Sequence, residues 1–182
     1  MKKALATLCL TLCGWSAGAQ NATAADAADA ATAAAAPDTA ETKLTARINA
    51  FVDQWHDDAA HARPAYFDKI ASDGVFIGTD KSELWHRDDF KVWAKPYFDS
   101  GKAWAFTVIK RHVYLSADRQ YAWFDEQLHT QMGICQASGV IHQTAGGGLE
   151  IEHYQLSIAI PNPLAEQVVK TVKKFEAQAD SK

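Results

Sequence analysis

Residues 121–130, Tyr-Ala-Trp-Phe-Asp-Glu-Gln-Leu-His-Thr, decide the fold class. Aromatic and apolar side chains surround two adjacent acids, Asp125 and Glu126, in a run that reads as an extended strand. Side chains alternate across a strand, so one acid faces one way and its neighbour the other. If one face is core, one carboxylate is directed into it.

Working outward, the same β pattern continues on both sides. Residues 103–115 are rich in β-branched and aromatic side chains, and Ser116-Ala117-Asp118-Arg119 is a turn. Downstream come a tight turn near Met132-Gly133, a strand over 135–143, a Gly146-Gly147-Gly148 loop and a strand over 149–160, stopped by Pro161 and Pro163. The three glycines lie between strands rather than before a helix, so they form a hairpin loop and not a phosphate cradle.

Upstream, the period changes to helical. Pro37-Asp38-Thr39 resembles a helix start, and Leu44, Ile48, Phe51, Val52, Trp55 and Ala59 recur at three- and four-residue spacing. Pro64 opens a short helix to about Ala71, Asp73-Gly74 turns the chain into a strand over 75–78, and Thr79 to Trp85 reads as a polar connection. A third helix is expected over 88–98, kinked or shortened by Pro96. Leu164, Val168, Val169, Val172 and Phe175 form the stripe of a C-terminal helix. Helices first and an antiparallel meander afterwards make an α+β pattern.

Length and composition set the frame. The chain has 182 residues, 48% of them hydrophobic, enough for one domain with a real core plus additions. Lys2 and Lys3 precede a short apolar run, Ala4 to Cys13, and Ala17-Gly18-Ala19 supplies small residues for cleavage near Ala19. Residues 1–19 therefore read as a signal peptide, too short to remain as a membrane span, and the mature protein is expected in a bacterial periplasm or secreted. Residues 20–37 form an Ala-rich flexible linker, leaving 38–178 as the domain.

Cleavage would carry off Cys9 and Cys13, so Cys135 is the lone thiol of the mature chain and is expected to pack as a small hydrophobe. Loss of the two leader lysines takes the formal charge from −4 to about −6. An acidic chain without basic clusters carries no electrostatic footprint for nucleic acid.

Several separated blocks resemble one family. Tyr66-Phe67, Phe76-Ile77-Gly78-Thr79-Asp80, Glu83, Trp85, Phe90 and Lys95-Pro96-Tyr97-Phe98 are similar in kind and order to SnoaL-like domains of the nuclear-transport-factor-2-like superfamily. So are Arg111 to Ser116, Ala122 to Glu126, Tyr154, Leu156 and Ile160-Pro161-Asn162. The resemblance covers roughly residues 45 to 165. It implies a cone-shaped fold, with N-terminal helices packed on a curved antiparallel sheet around a pocket, and dimers formed through the sheet's outer face. It does not imply one activity, because the superfamily includes isomerases, cyclases, dehydratases, ligand binders and scaffolds. His86 stands where a threonine-like helix cap is expected.

A turn at Met132-Gly133 places Glu126 near Gly139, and the glycine loop then places His153 across Gly139 on the same face. Small Ala137 and Gly139 among Phe124, Ile141 and Ile151 leave room there, so this face is assigned to the pocket. Glu126 and His153 are the candidate acid–base pair, because burial raises a carboxyl toward neutrality. Trp55, Tyr66, Phe124, Cys135 and Gln155 are the candidate ligand-binding wall. Trp123, Tyr154, Leu156 and Ile158 belong to the opposite, dimer-forming face.

The alternative for Glu126 is a structural pair with Arg111 from the neighbouring strand. His56 and His61 are five apart on their helix and do not share a face, and His112, His129 and His142 show no tight convergence, so neither metal nor cofactor is expected. The reading that follows is a domain binding a small, largely apolar molecule. An isomerase, cyclase or dehydratase using Glu126 and His153, or a non-catalytic interaction module, is the alternative.

Overall fold

Six strands and four helices account for residues 39–179, which are the residues the computed structural model describes. The expected leader and Ala-rich linker fall in residues 1–38, outside the described residues. Helix α1 (Thr39–Ala60) is followed by one turn of helix, α2 (Ala65–Asp68), and by strands β1 (Ile70–Ile77) and β2 (Leu84–His86). Helix α3 (Arg87–Asp99) leads into the meander β3 (Thr107–Leu115), β4 (Tyr121–Thr130), β5 (Gly133–Gln143) and β6 (Leu149–Ile158). Helix α4 (Asn162–Ala179) ends the described chain.

The sheet order is β2-β1-β6-β5-β4-β3. All neighbours run antiparallel except β1 and β6, which are parallel, so the sheet is mixed rather than purely antiparallel. Helix α1 lies on the inner face and buries Ile48, Val52, Trp55 and Ala59, the stripe that its spacing predicts. The inner rows of the sheet are Ala122, Phe124, Glu126 and Leu128 on β4, and Cys135, Ala137, Gly139 and Ile141 on β5.

Several boundaries move for identifiable reasons. Strand β1 starts at Ile70, five residues early, because a bulge over residues 71–74 lets Ile70 pair with Ile151 before Val75 pairs with His153. Gly74 is required there, since a Cβ would lie 2.7 Å from the Ile151 carbonyl oxygen. The supposed polar connection contains β2, whose Trp85 pairs with Phe76. Helix α3 begins directly after His86, which caps it without a side-chain hydrogen bond, while Asp88 and Asp89 complement its first turn. Pro96 sits in its last turns and the helix still reaches Asp99.

The apolar stripe of α4 is not buried. Leu164, Val169 and Val172 are about half exposed and Phe175 more so, and the Lys81 ammonium pairs with Glu176 at 2.7 Å.

Candidate functional site

The turn joining β4 and β5 uses Gln131 and Met132, one position earlier than expected, so Thr130 pairs with Gly133. This moves Glu126 opposite Ala137 and Phe124 opposite Gly139, but keeps every side chain on its expected face. The next hairpin does not. Ile141 pairs with Ile151, yet Val140 pairs with His153, leaving Glu152 as an inserted residue. Beyond this bulge β6 is inverted relative to expectation. Tyr154 and Leu156 point inward, and His153 and Gln155 point outward.

The postulated pair of Glu126 and His153 is therefore not formed. Glu126 points into the domain, its side chain wholly buried, and meets three donors that come from three elements. His56 Nε2 of α1 lies 2.8 Å from Oε1, and the Tyr154 hydroxyl of β6 donates to the same oxygen at 3.0 Å. Arg111 Nε of β3 donates to Oε2 at 2.8 Å, across the Arg111–Glu126 strand pair. An ionised carboxylate only accepts, so His56 carries its proton on Nε2 in this contact.

Arg111 is itself buried. Its Nη1 donates to Asp53 Oδ1 at 2.8 Å and to the Asn49 carbonyl at 3.2 Å, and its Nη2 has no acceptor among the described residues. Burial raises the Glu126 carboxyl, but the bond and charge of His56 and the charge and bond of Arg111 outweigh it. The net result is a carboxyl below its ordinary range, fixed as the anion. Burial, with the Glu126 charge behind it, pushes the Tyr154 hydroxyl well above its usual value and keeps it a donor. The pairing with Arg111 is the structural alternative foreseen for Glu126.

The expected ligand-binding wall is also packed shut. Trp55 and Tyr66 stack at 4.8 Å with an 8° interplanar angle, and Trp55 Nε1 donates to the Tyr66 carbonyl at 3.2 Å. Phe124 and Cys135 are core, and Gln155 is exposed on the outer face. The space between sheet and helices around Glu126 is filled by these aromatic rings and by His56 and Tyr154.

A cavity does open elsewhere, at the mouth between β1, β2, α3 and the segment preceding β3. Its volume is about 140 Å³. Aromatic walls come from Phe76, Trp85, Phe90, Trp93, Trp104 and Phe106, with Met132 and Leu156 closing one side. Polar groups reach it from Thr79, Gln131 and Glu83, whose Oε2 accepts the Asp80 N–H at 3.1 Å. Phe106 lines this cavity and packs on His56, ring to ring at 5.5 Å, and Phe76 packs likewise on Tyr154 at 5.5 Å.

Sequence reasoning missed His56, Tyr154 and this mouth. His56 follows Trp55 on the buried face of α1, one residue round from the stripe. A polar residue inside an apolar face was a signal for it.

A mixed sheet with helices on its inner face, and a centre between them, narrows the family. The SnoaL-like domain profile matches residues 48–161. The chain belongs to the SnoaL-like domain family. Solved structures agree on the nuclear-transport-factor-2-like fold of this SnoaL-like domain. An NTF2-like protein of unknown function from Pseudomonas putida KT2440 is 11% identical, with a TM-score of 0.56 over 66% of this chain and 90% of that one. A ketosteroid isomerase-like protein from Erwinia carotovora atroseptica SCRI1043 is 17% identical, with a TM-score of 0.51 over 65% and 98%. ActVI-ORFA from Streptomyces coelicolor is 14% identical, with a TM-score of 0.51 over 63% and 96%. At these identities the likeness concerns the fold alone. A search of curated proteins returns no significant match.

Proposed function

We propose that this SnoaL-like domain binds a small, largely apolar molecule in the aromatic mouth cavity. The observation that carries the reading is the contrast in lining: six aromatic rings, a methionine and a leucine against a few polar groups at the rim. A volume of about 140 Å³ suits a group of about benzene's size. A larger ligand would leave part of itself in the open mouth.

The acid–base alternative has weaker support. The Glu126 side chain is wholly buried and held as the anion, so it has neither the access nor the proton that a general acid needs.

The experiment is native mass spectrometry of protein purified from its own cells without organic solvent. A retained small molecule in the wild type, absent from Met132→Trp where an indole fills the cavity, is the expected result. No adduct in the wild type, or the same adduct in the filled variant, overturns the proposal.

Two further parts of this reading concern location and assembly. The leader of residues 1–19 supports export to the periplasm or beyond, and cleavage near Ala19 is read by the mass of the secreted chain. The outer face of the sheet exposes Trp123 and Tyr114, stacked on each other at 5.9 Å, which supports a homodimer through that face. Light scattering of Trp123→Lys against the wild type distinguishes monomer from dimer.

A further inference from the structure

The outer face of the sheet carries a second cluster of ionisable side chains, apart from the Glu126 centre. His142 on β5 pairs directly with Glu150 on β6, and Glu152 is the residue inserted by the bulge. That bulge, which turns Tyr154 inward, also brings the Glu152 carboxylate to the imidazole from the diagonal position. His142 Nδ1 lies 2.9 Å from Glu150 Oε1 and 3.3 Å from Glu152 Oε1. One ligand atom from each of the three side chains lies within 4.8 Å of the others. Tyr121, the β4 partner of His142, stacks on its ring at 4.8 Å and 20° and holds its plane.

We propose that His142, Glu150 and Glu152 form a binding site for a divalent transition cation, with zinc as the reference ion. Both carboxylates converge on one ring nitrogen. If that nitrogen presents its lone pair, it repels both, and if it carries a proton, the single N–H is shared between two anions. A cation held by all three removes the conflict.

The spacing is that of ligands rather than of a crowded surface. Around an ion with bonds of about 2.0–2.2 Å, adjacent ligand atoms stand roughly 3–3.5 Å apart. The 3.3 Å distance to Glu152 lies on that edge, and the 2.9 Å distance to Glu150 falls just short of it. One imidazole nitrogen with two carboxylate oxygens suits borderline metals, whereas calcium and magnesium prefer all-oxygen sets.

The local charge points the same way. Asp73 on β1 adds a third negative charge that is felt at Glu152. No lysine or arginine among the described residues forms a salt bridge with Glu150 or Glu152. All three side chains are about 30% exposed or slightly less, so an ion held there would keep positions open to water.

The test uses the untagged full chain, stripped with chelator and titrated with zinc chloride by calorimetry, beside His142→Ala and Glu152→Gln. These side chains stand on a partly exposed face, and circular dichroism checks that both variants keep the fold. One zinc ion per chain is expected in the wild type. Loss of an outer-shell partner alone costs about 10–100-fold in affinity, so loss of the ligand His142 should cost roughly a hundredfold and Glu152→Gln at least about tenfold. Within the wild type, zinc should shift the imidazole resonances of His142 and leave those of exposed His129 in place. Absence of stoichiometric uptake, undiminished binding in His142→Ala, or unshifted His142 resonances would overturn the site.

Discussion

The Glu126 centre and the aromatic mouth are neighbours, meeting through Phe106 on His56 and Phe76 on Tyr154, and they have opposite chemistry. The centre is polar and closed, its carboxylate satisfied by His56, Arg111 and Tyr154 with no side-chain surface left to water. The mouth is apolar and open, its rings stacked on each other around the cavity. A buried carboxylate held by donors from α1, β3 and β6 ties those three elements together, because losing any of them leaves a buried polar group unpaired. If the proposed ligand docks on the open apolar surface, stability belongs to the first region and recognition to the second.

The largest effect is expected from removing the carboxylate. Glu126→Ala leaves Arg111, His56 and Tyr154 buried without their common acceptor and should destabilise the domain by about 3–5 kcal/mol in urea unfolding. The same centre gives the stability a pH dependence of known sign. The folded carboxyl lies below its ordinary value of 4.5, so the unfolded chain binds the proton first as pH falls. The stabilisation is complete above about pH 4.5 and is lost progressively as pH drops through the folded value. Asp58 and Asp125 are also held low, by Lys69, Gln54 and Arg63 and by His112 and Tyr114 respectively, and slope the same way. The difference between the wild type and Glu126→Gln isolates the Glu126 part. An identical acid slope in both would show that the centre is not ionised.

Smaller changes around the centre sharpen the comparison. Tyr154→Phe deletes one of the two donors to Oε1 and keeps the ring in the core, at an expected cost of about 1.5–3 kcal/mol for a bond to a charged acceptor. A cost near zero would mean that His56 satisfies this oxygen alone. Gly139→Ala tests the packing behind the carboxylate. Its Cβ would stand 2.6 Å from two Phe124 ring carbons and 3.0 Å from the His153 carbonyl oxygen. The overpacking should cost about 1–3 kcal/mol, read as a lower urea midpoint with an unchanged slope.

The legibility of the two regions differs for a physical reason. Strand periodicity is robust to a turn misplaced by one residue, since the pairing slips by two and parity survives. That is why Phe124, Glu126, Ala137 and Ile141 were assigned to the correct face from the chain alone. A bulge changes parity, and one inserted residue at Glu152 exchanged His153 for Tyr154 and Gln155 for Leu156. The signal was present in Ile151, Tyr154 and Leu156, whose spacing of three and then two cannot fit one face of an unbroken strand. The mouth was hidden for another reason. Trp85, Trp93 and Trp104 come from a strand, a helix and a loop, and no periodicity relates positions on separate elements. The parallel pairing of β1 with β6 that helps assemble them is likewise a long-range contact.

The largest effect on binding is expected at the mouth. Trp93 is 39% exposed there, packed on Trp85 at 4.6 Å, Tyr97 at 5.2 Å and Phe90 at 5.9 Å. Trp93→Ala removes these pairs, worth about 0.5–1.5 kcal/mol each, and leaves the Glu126 centre intact. Its urea midpoint should fall by no more than that of Glu126→Ala, while the small-molecule adduct in native mass spectra falls to a minor fraction. Glu126→Gln should do the reverse, lowering stability while the folded fraction retains its adduct. If both variants lose the adduct together, the two regions are not separate in function, and ligand binding depends on the polar centre as well.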